Sequence, residues 1–100
     1  MRREGKRFRT SHLEVRSLAS LQRHPRVGII VPRHRHTAVD RNRVKRRLRE
    51  LVRTELWAQL LSRSPMDVVV WASPAAYDAT FESLGGDLQR FVARLAPPAA

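Results

Sequence analysis

The sequence predicts an α+β fold: a small mixed β-sheet with a long basic helix in a β-α-β crossover and a C-terminal helix. Two apolar runs of strand length, Val27–Val31 and Val68–Trp71, suggest buried strands. Between them Val44, Leu48, Leu51, Val52 and Leu56 recur at helical spacing. A helix separating two such strands implies a parallel pair joined by a crossover.

Gly5 to Ser20 reads as two short strands, with Phe8 and Thr10, then Leu13 and Val15, alternating with charged residues. Their turn, near Thr10, Ser11 and His12, carries no Gly or Pro. Leu21 to Pro25 is a connection. Val27-Gly28-Ile29-Ile30-Val31 is expected to be covered on both faces, and Pro32 ends it by removing an amide donor. Thr37 starts the longest helix in a capping box: its hydroxyl accepts an amide of the first turn and Asp40 reaches back. That helix is expected to run to about Leu61, before Ser62, Ser64 and Pro65. Val68-Val69-Val70-Trp71 is a second buried-type strand, and Pro74 begins a turn. Thr80 caps a last helix with apolar residues Phe81, Leu84, Leu88, Phe91 and Leu95. Gly85 and Gly86 each weaken it by roughly 1 kcal/mol relative to alanine, so a neighbour packs closely there or the helix bends. Trp57 and Trp71 read as packing residues. Phe8, between Arg7 and Arg9, is either a core residue or a base-stacking one.

Size and charge narrow the function. Residues 1–100 form a single domain with one modest core and little room for an enclosed active site. No window approaches the about 18 unbroken apolar residues of a membrane span. The start, MRREGKRFR, lacks the apolar run of a secretory signal, and the end, PPAA, is a short low-complexity tract. The absence of cysteine excludes disulfides and thiolate metal sites and suits the cytoplasm. The net charge is +11, and it is concentrated: residues 1–53 hold 17 Lys and Arg against 4 Asp and Glu, residues 54–100 only 3 against 5. Like charges at that density repel one another unless a polyanion neutralises them.

The densest stretch is Arg41-Asn42-Arg43-Val44-Lys45-Arg46-Arg47-Leu48-Arg49, with six cations in nine residues. At about 100° per residue, Val44, Leu48 and Leu51 face the core. Arg41, Asn42, Lys45, Arg46, Arg49 and Arg53 are then expected over the opposite and flanking surface. Solvated helix faces usually mix signs into i,i+4 pairs. Here only Asp40 and Glu50 lie within reach of seven Lys and Arg between Arg41 and Arg53. Arginine grips phosphate bidentately and Asn42 can meet a sugar hydroxyl or base edge, so the ridge fits a nucleic-acid backbone. Ahead of it, Arg33-His34-Arg35-His36 lies where free amides and the helix dipole favour phosphate. A metal site on His34 and His36 is disfavoured, since no carboxylate or thiol is expected nearby and the arginines repel a cation.

RNRVKRRLR resembles the RNR signature of the bacterial ribonuclease P protein family, in which an arginine-asparagine-arginine helix lies against a catalytic RNA. RVGIIV and MDVVVWASP resemble that family's strands on either side of the helix, and the similarity extends over about Gly5 to Leu95. The resemblance implies the family's ribosomal protein S5 domain 2-like fold, with a left-handed crossover against the general rule. It implies that Arg41, Asn42, Arg43, Lys45, Arg46 and Arg49 contact RNA or support such contacts. With the basic loop and the next turn, the expected RNA-binding set adds Arg33, Arg35 and Arg53. The implied partners are ribonuclease P RNA and precursor tRNA, with no membrane and no small-molecule substrate. The implied role is a non-catalytic subunit of the endonuclease that removes the 5′ leader. The RNA uses Mg2+ and does the chemistry, and the protein itself binds no cofactor. Three departures are visible. The family's N-terminal helix, one wall of a cleft for the single-stranded leader, is expected to be absent. Pro32-Arg33-His34 stands where Ser-Lys-Lys is usual. Arg16 lies near a position that often offers the leader an aromatic.

Other functions make other demands. A generic RNA-binding or ribosome-associated module needs only the charge. A self-sufficient nuclease needs clustered carboxylates or a placed base. The sequence suggests no carboxylate cluster and no histidine paired with an acid, and Asp40 and Glu50 on one helix stand about 15 Å apart, too far to share a metal. A nuclear-import signal or membrane-surface helix ranks lower, since this stretch has no Trp or Phe wedge. A helix-turn-helix is disfavoured because a strand precedes the basic helix.

Overall fold

The computed structural model describes residues 5–95; the expectations about an N-terminal helix, the first four residues and the final PPAA lie outside them. Strands β1 (Lys6–Arg9) and β2 (Leu13–Ala19) form an antiparallel hairpin. Its turn manages without Gly or Pro because the Thr10 hydroxyl accepts from the amides of His12 and Leu13, at 3.4 and 3.0 Å. Strands β3 (Arg26–Ile30) and β4 (Met66–Ala72) complete a sheet of order β1-β2-β4-β3. β4 is antiparallel to β2 and parallel to β3, as a crossover requires.

Helix α1 (Ala38–Leu51) begins at Thr37, whose Oγ1 accepts from the Asp40 amide at 3.1 Å. The helical path continues through a π-helical turn, Val52–Leu56, into α2 (Trp57–Leu61). Core packing explains that turn. On a regular helix Leu56 and Leu60 would drift about 80° and 120° away from Leu48. One extra residue in the turn sets them back by about 100°, and all three are fully buried. Pro74–Asp78 is a 3-10 turn, and α3 (Phe81–Arg94) starts at Thr80, whose hydroxyl accepts from the Ser83 amide at 3.0 Å.

These helices pack on one face of the sheet. Leu13, Val15, Val68, Val70 and Ala72 project into that layer and meet Leu48, Leu56, Leu60, Leu84 and Leu88. The opposite face is open, which corrects the expectation that both apolar runs are enclosed. β3 is an edge strand, and its Ile30 pairs with Trp71 on the uncovered side, where the two are 40% and 38% exposed. The apolar runs therefore reflect a parallel pair beneath a single helical layer. Phe81 also departs from expectation: in the first turn of α3 it lies beyond the stripe buried by Leu84, Leu88 and Phe91, and is exposed. Close packing accounts for Gly85, where an added Cβ would lie 3.2 Å from Leu51 Cδ2, whereas Gly86 faces open space.

Candidate nucleic-acid interface

The Thr37 cap sets where α1 starts and hence which side chains face outward. Asn42, Arg43, Arg46, Arg49 and Arg53 are exposed above buried Val44, Leu48 and Leu51, while Lys45 is half-buried on the flank toward β3. Arg41 corrects the expected ridge. It lies about 20° round the helix from Leu48, and its Nε donates to the Val31 carbonyl at 2.7 Å. Arg41 thus ties the first turn of α1 to the chain leaving β3. Arg47 reaches the Ala79 carbonyl at 3.4 Å. Arg53 is engaged by Glu50, whose hydrogen bond raises the guanidinium pKa while its own carboxyl is lowered. By contrast Arg33, Arg35, Lys45, Arg46 and Arg49 have no acidic partner among the described residues.

The loop before α1 has an unusual backbone. His34 and Arg35 adopt φ of 47° and 72°, in the left-handed region, at a cost of roughly 1–3 kcal/mol for each non-glycine residue. Tyr77 holds the loop there. Its hydroxyl donates to the Pro32 carbonyl at 2.6 Å, its ring stacks on His36 with centroids 3.8 Å apart, and His34 meets it edge-on at 6.3 Å. The His36 amide closes the turn on the Arg33 carbonyl at 2.8 Å. His36 Nδ1 lies 3.4 Å from Asp40, which corrects the expectation that no carboxylate stands near this histidine. Desolvation raises the Asp40 carboxyl, but hydrogen bonds from His36 and Thr37 and the charge of Arg43 bring it below its ordinary value. Arg33 and Arg35 are therefore presented from a braced loop beside the start of α1. Among the described residues no three His, Cys, Asp or Glu side chains come together as a metal site, and no helix is long and apolar enough to cross a membrane.

The open sheet face is a second basic surface. Glu14 gathers Arg16, Arg9 and Arg7 at 2.7, 3.1 and 3.6 Å. The Arg16 hydrogen bond is foremost in holding its carboxyl below the usual range. The Arg16 guanidinium lies 5.6 Å from the centroid of the Trp71 ring. Trp71 is thus no enclosed packing residue. Phe8 takes the core alternative: its ring lies 6.0 Å from that of Phe91, beneath Arg94.

A family profile described as Ribonuclease P matches residues 1–96. The chain belongs to the ribonuclease P protein family. The ribonuclease P protein component of Syntrophobacter fumaroxidans is 40% identical over 80 residues, covering 76% of this chain and 62% of that protein. The component of Thermus scotoductus is 40% identical over 88 residues, covering 88% of this chain and 49% of that one. The chain spans about half to three-fifths of the length of these relatives. The RNase P protein from Thermotoga maritima superposes with a TM-score of 0.77, over 93% of this chain and 88% of that one, at 24% identity. The α+β architecture is that of a ribonuclease P protein.

Within this ribonuclease P protein fold, one polar cluster escaped the sequence reading. Asp87 is fully buried and accepts from Thr10 Oγ1 at 2.8 Å and from Arg90 at 2.5 Å, with His12 Nδ1 also at 2.8 Å. The cluster ties the β1–β2 turn to α3. Together with His36–Asp40 it corrects the expectation that no histidine is paired with an acid. Thr10 and His12 stand 77 and 75 residues from Asp87, so no local pattern marks their meeting. Tyr77 was missed for the same reason, standing 45 residues beyond the Pro32 it clamps.

Proposed function

We propose that this chain is the protein subunit of ribonuclease P, binding the catalytic RNA and assisting removal of the 5′ leader from precursor tRNA. In this reading it works in the cytoplasm and supplies no catalytic group. The carrying observation is the set of cations without acidic partners among the described residues, Arg33, Arg35, Lys45, Arg46 and Arg49, carried on one loop and one helix of a family member. Asn42 and Arg43 flank that set, Arg41 supports it, and Arg53 joins it when phosphate competes with Glu50. A catalytic RNA must bring its own phosphates against those of its substrate. Fixed guanidinium groups lower the repulsion that Mg2+ otherwise screens. In this reading Mg2+ would be held by the RNA, and the metal chemistry of phosphodiester hydrolysis would be supplied there rather than by side chains of this chain. The carboxylates of Asp40, Glu50 and Asp87 are already engaged by side chains of the protein. The leader would cross the open sheet face, past Arg16 and Trp71.

The test is cleavage of 5′-labelled precursor tRNA by protein alone, RNA alone and both, across a Mg2+ series. The expected result is no cleavage by RNA-free protein and a lowered Mg2+ requirement for the pair. Cleavage by RNA-free protein refutes the non-catalytic role. Tight RNA binding with no stimulation of any bacterial-type ribonuclease P RNA replaces the proposal with a generic RNA-binding module.

A further inference from the structure

We infer that Trp57 is a base-stacking contact for RNA, set in a groove between α1 and the free edge of β3. The inference rests on the RNA-binding reading above and extends it beyond the outward ridge of α1. The groove is open, with a volume of about 660 Å³, and Arg26, Val27, Ile29, Lys45, Arg49 and Trp57 line it. Its cations stand over an apolar floor, with one aromatic ring at its side.

The π-helical turn puts Trp57 in this place. Counted from Leu48 on a regular helix, Lys45 and Arg49 lie at about 60° and 100°, and Trp57 at about 180°. The extra residue of the turn, marked by the Trp57 amide donating to the Val52 carbonyl, brings the indole back to about 80°. Trp57 therefore joins the row of Lys45 and Arg49. Core packing of Leu56 and Leu60 explains the turn but not the tryptophan. Trp57 belongs neither to the buried core nor to the partly buried side chains packed against it, and it is 36% exposed. Unlike Trp71, which lies under Arg16, its ring meets no described aromatic or guanidinium group.

Charge selects the occupant. Among the described residues Lys45 and Arg49 have no acidic partner, whereas Arg26 at the other rim is held by Asp67 through bonds of 3.0 and 2.8 Å. A strand of RNA satisfies both features: phosphates on Lys45 and Arg49, and a base against the indole. Every base has a π-face, so such a contact adds affinity with little sequence preference. RNA lying along Asn42 and Arg46 has only to continue round the helix to reach it.

The experiment uses the whole chain with a bacterial-type ribonuclease P RNA, measuring affinity across a salt series. Trp57→Leu should weaken binding about tenfold, with the log–log salt slope unchanged because stacking releases no counterions. Trp57→Phe should keep most of the affinity, and Lys45→Ala should reduce the slope by about one. In a Trp71→Phe variant the remaining indole fluorescence should be quenched on RNA binding. A Trp57→Leu protein that melts like wild type and binds as tightly overturns the inference. So does indole fluorescence unmoved at saturating RNA, and that measurement decides the matter if Trp57→Leu fails to fold. Self-association of the wild type that Trp57→Leu abolishes would assign the groove to a second copy and also overturn it. Failure of the wild-type chain to bind RNA refutes the functional reading itself, so the two failures are distinguishable.

Discussion

Replacing Arg46 and Arg49 together by alanine should weaken RNA binding and leave the fold standing. Both side chains are exposed and have no acidic partner among the described residues, so their loss should alter stability by less than about 0.5 kcal/mol each. Leu48 between them is the opposite case. It is completely buried among Leu56, Leu84 and Leu88, and Leu48→Ala should cost roughly 2–5 kcal/mol by leaving a cavity. In a domain of this size that lowers the melting temperature by roughly 10 °C or more.

Electrostatics sets the binding side. Each neutralised phosphate of a duplex contributes about 0.9 to the log–log salt slope, so raising salt from about 50 to about 200 mM weakens one contact about 3.5-fold. If Arg46 and Arg49 each hold one phosphate, the double variant loses about 1.8 from the slope. Its affinity should approach that of wild type by about twelvefold over that range. Filter binding at several salt concentrations, alongside thermal melts of the same proteins, reads both quantities. An unchanged slope, or melting shifted as far as in Leu48→Ala, would refute the assignment of these arginines to a phosphate-facing ridge.

Tyr77→Ala should release the strained His34–Arg35 loop and weaken RNA binding more than Tyr77→Phe, which keeps the His36 stack and loses only the bond to Pro32; equal binding by both variants would deny the loop its positioning role. Asp87→Ala should destabilise by roughly 1–3 kcal/mol, because it leaves the part-buried donors of Thr10 and His12 without their acceptor; denaturant unfolding measures it, and a loss below about 0.5 kcal/mol would contradict the tether. Acid should destabilise the protein through Glu14. Its folded pKa is lowered, foremost by Arg16, so its stabilisation is present above the ordinary glutamate value and is lost as pH falls through the folded value. Glu14→Gln should therefore destabilise at neutral pH and differ little from wild type in strong acid, and a pH-independent difference in melting would count against the arginine cluster.

Much of the fold was legible because it is written locally. Thr37 and Thr80 each accept an amide three residues on, so a short window of sequence contains the whole interaction. The stripe of Val44, Leu48 and Leu51 is equally local, and so is the parallel pairing implied by a helix between two apolar runs. What escaped depends on partners distant in sequence. An all-apolar strand cannot report whether one face or two are covered, because burial is a property of neighbouring layers. Ile30 and Trp71 were misplaced for that reason.

The same division runs through the interface. A count of cations points to a polyanion as partner, but which cations are free depends on what each one meets. Glu50 stands three residues from Arg53, and that engagement could be suspected from spacing alone. Arg41 is taken out of the ridge by a backbone carbonyl of another segment, which no charge pattern records. Trp57 inverts the case. Regular helical spacing points it away from Lys45 and Arg49, and only a π-helical turn, demanded by Leu56 and Leu60 inside the core, aligns the three. The packing that stabilises the helix thus also decides which side chains stand together at its surface, and the indole is aligned with the cations by two leucines buried in the core.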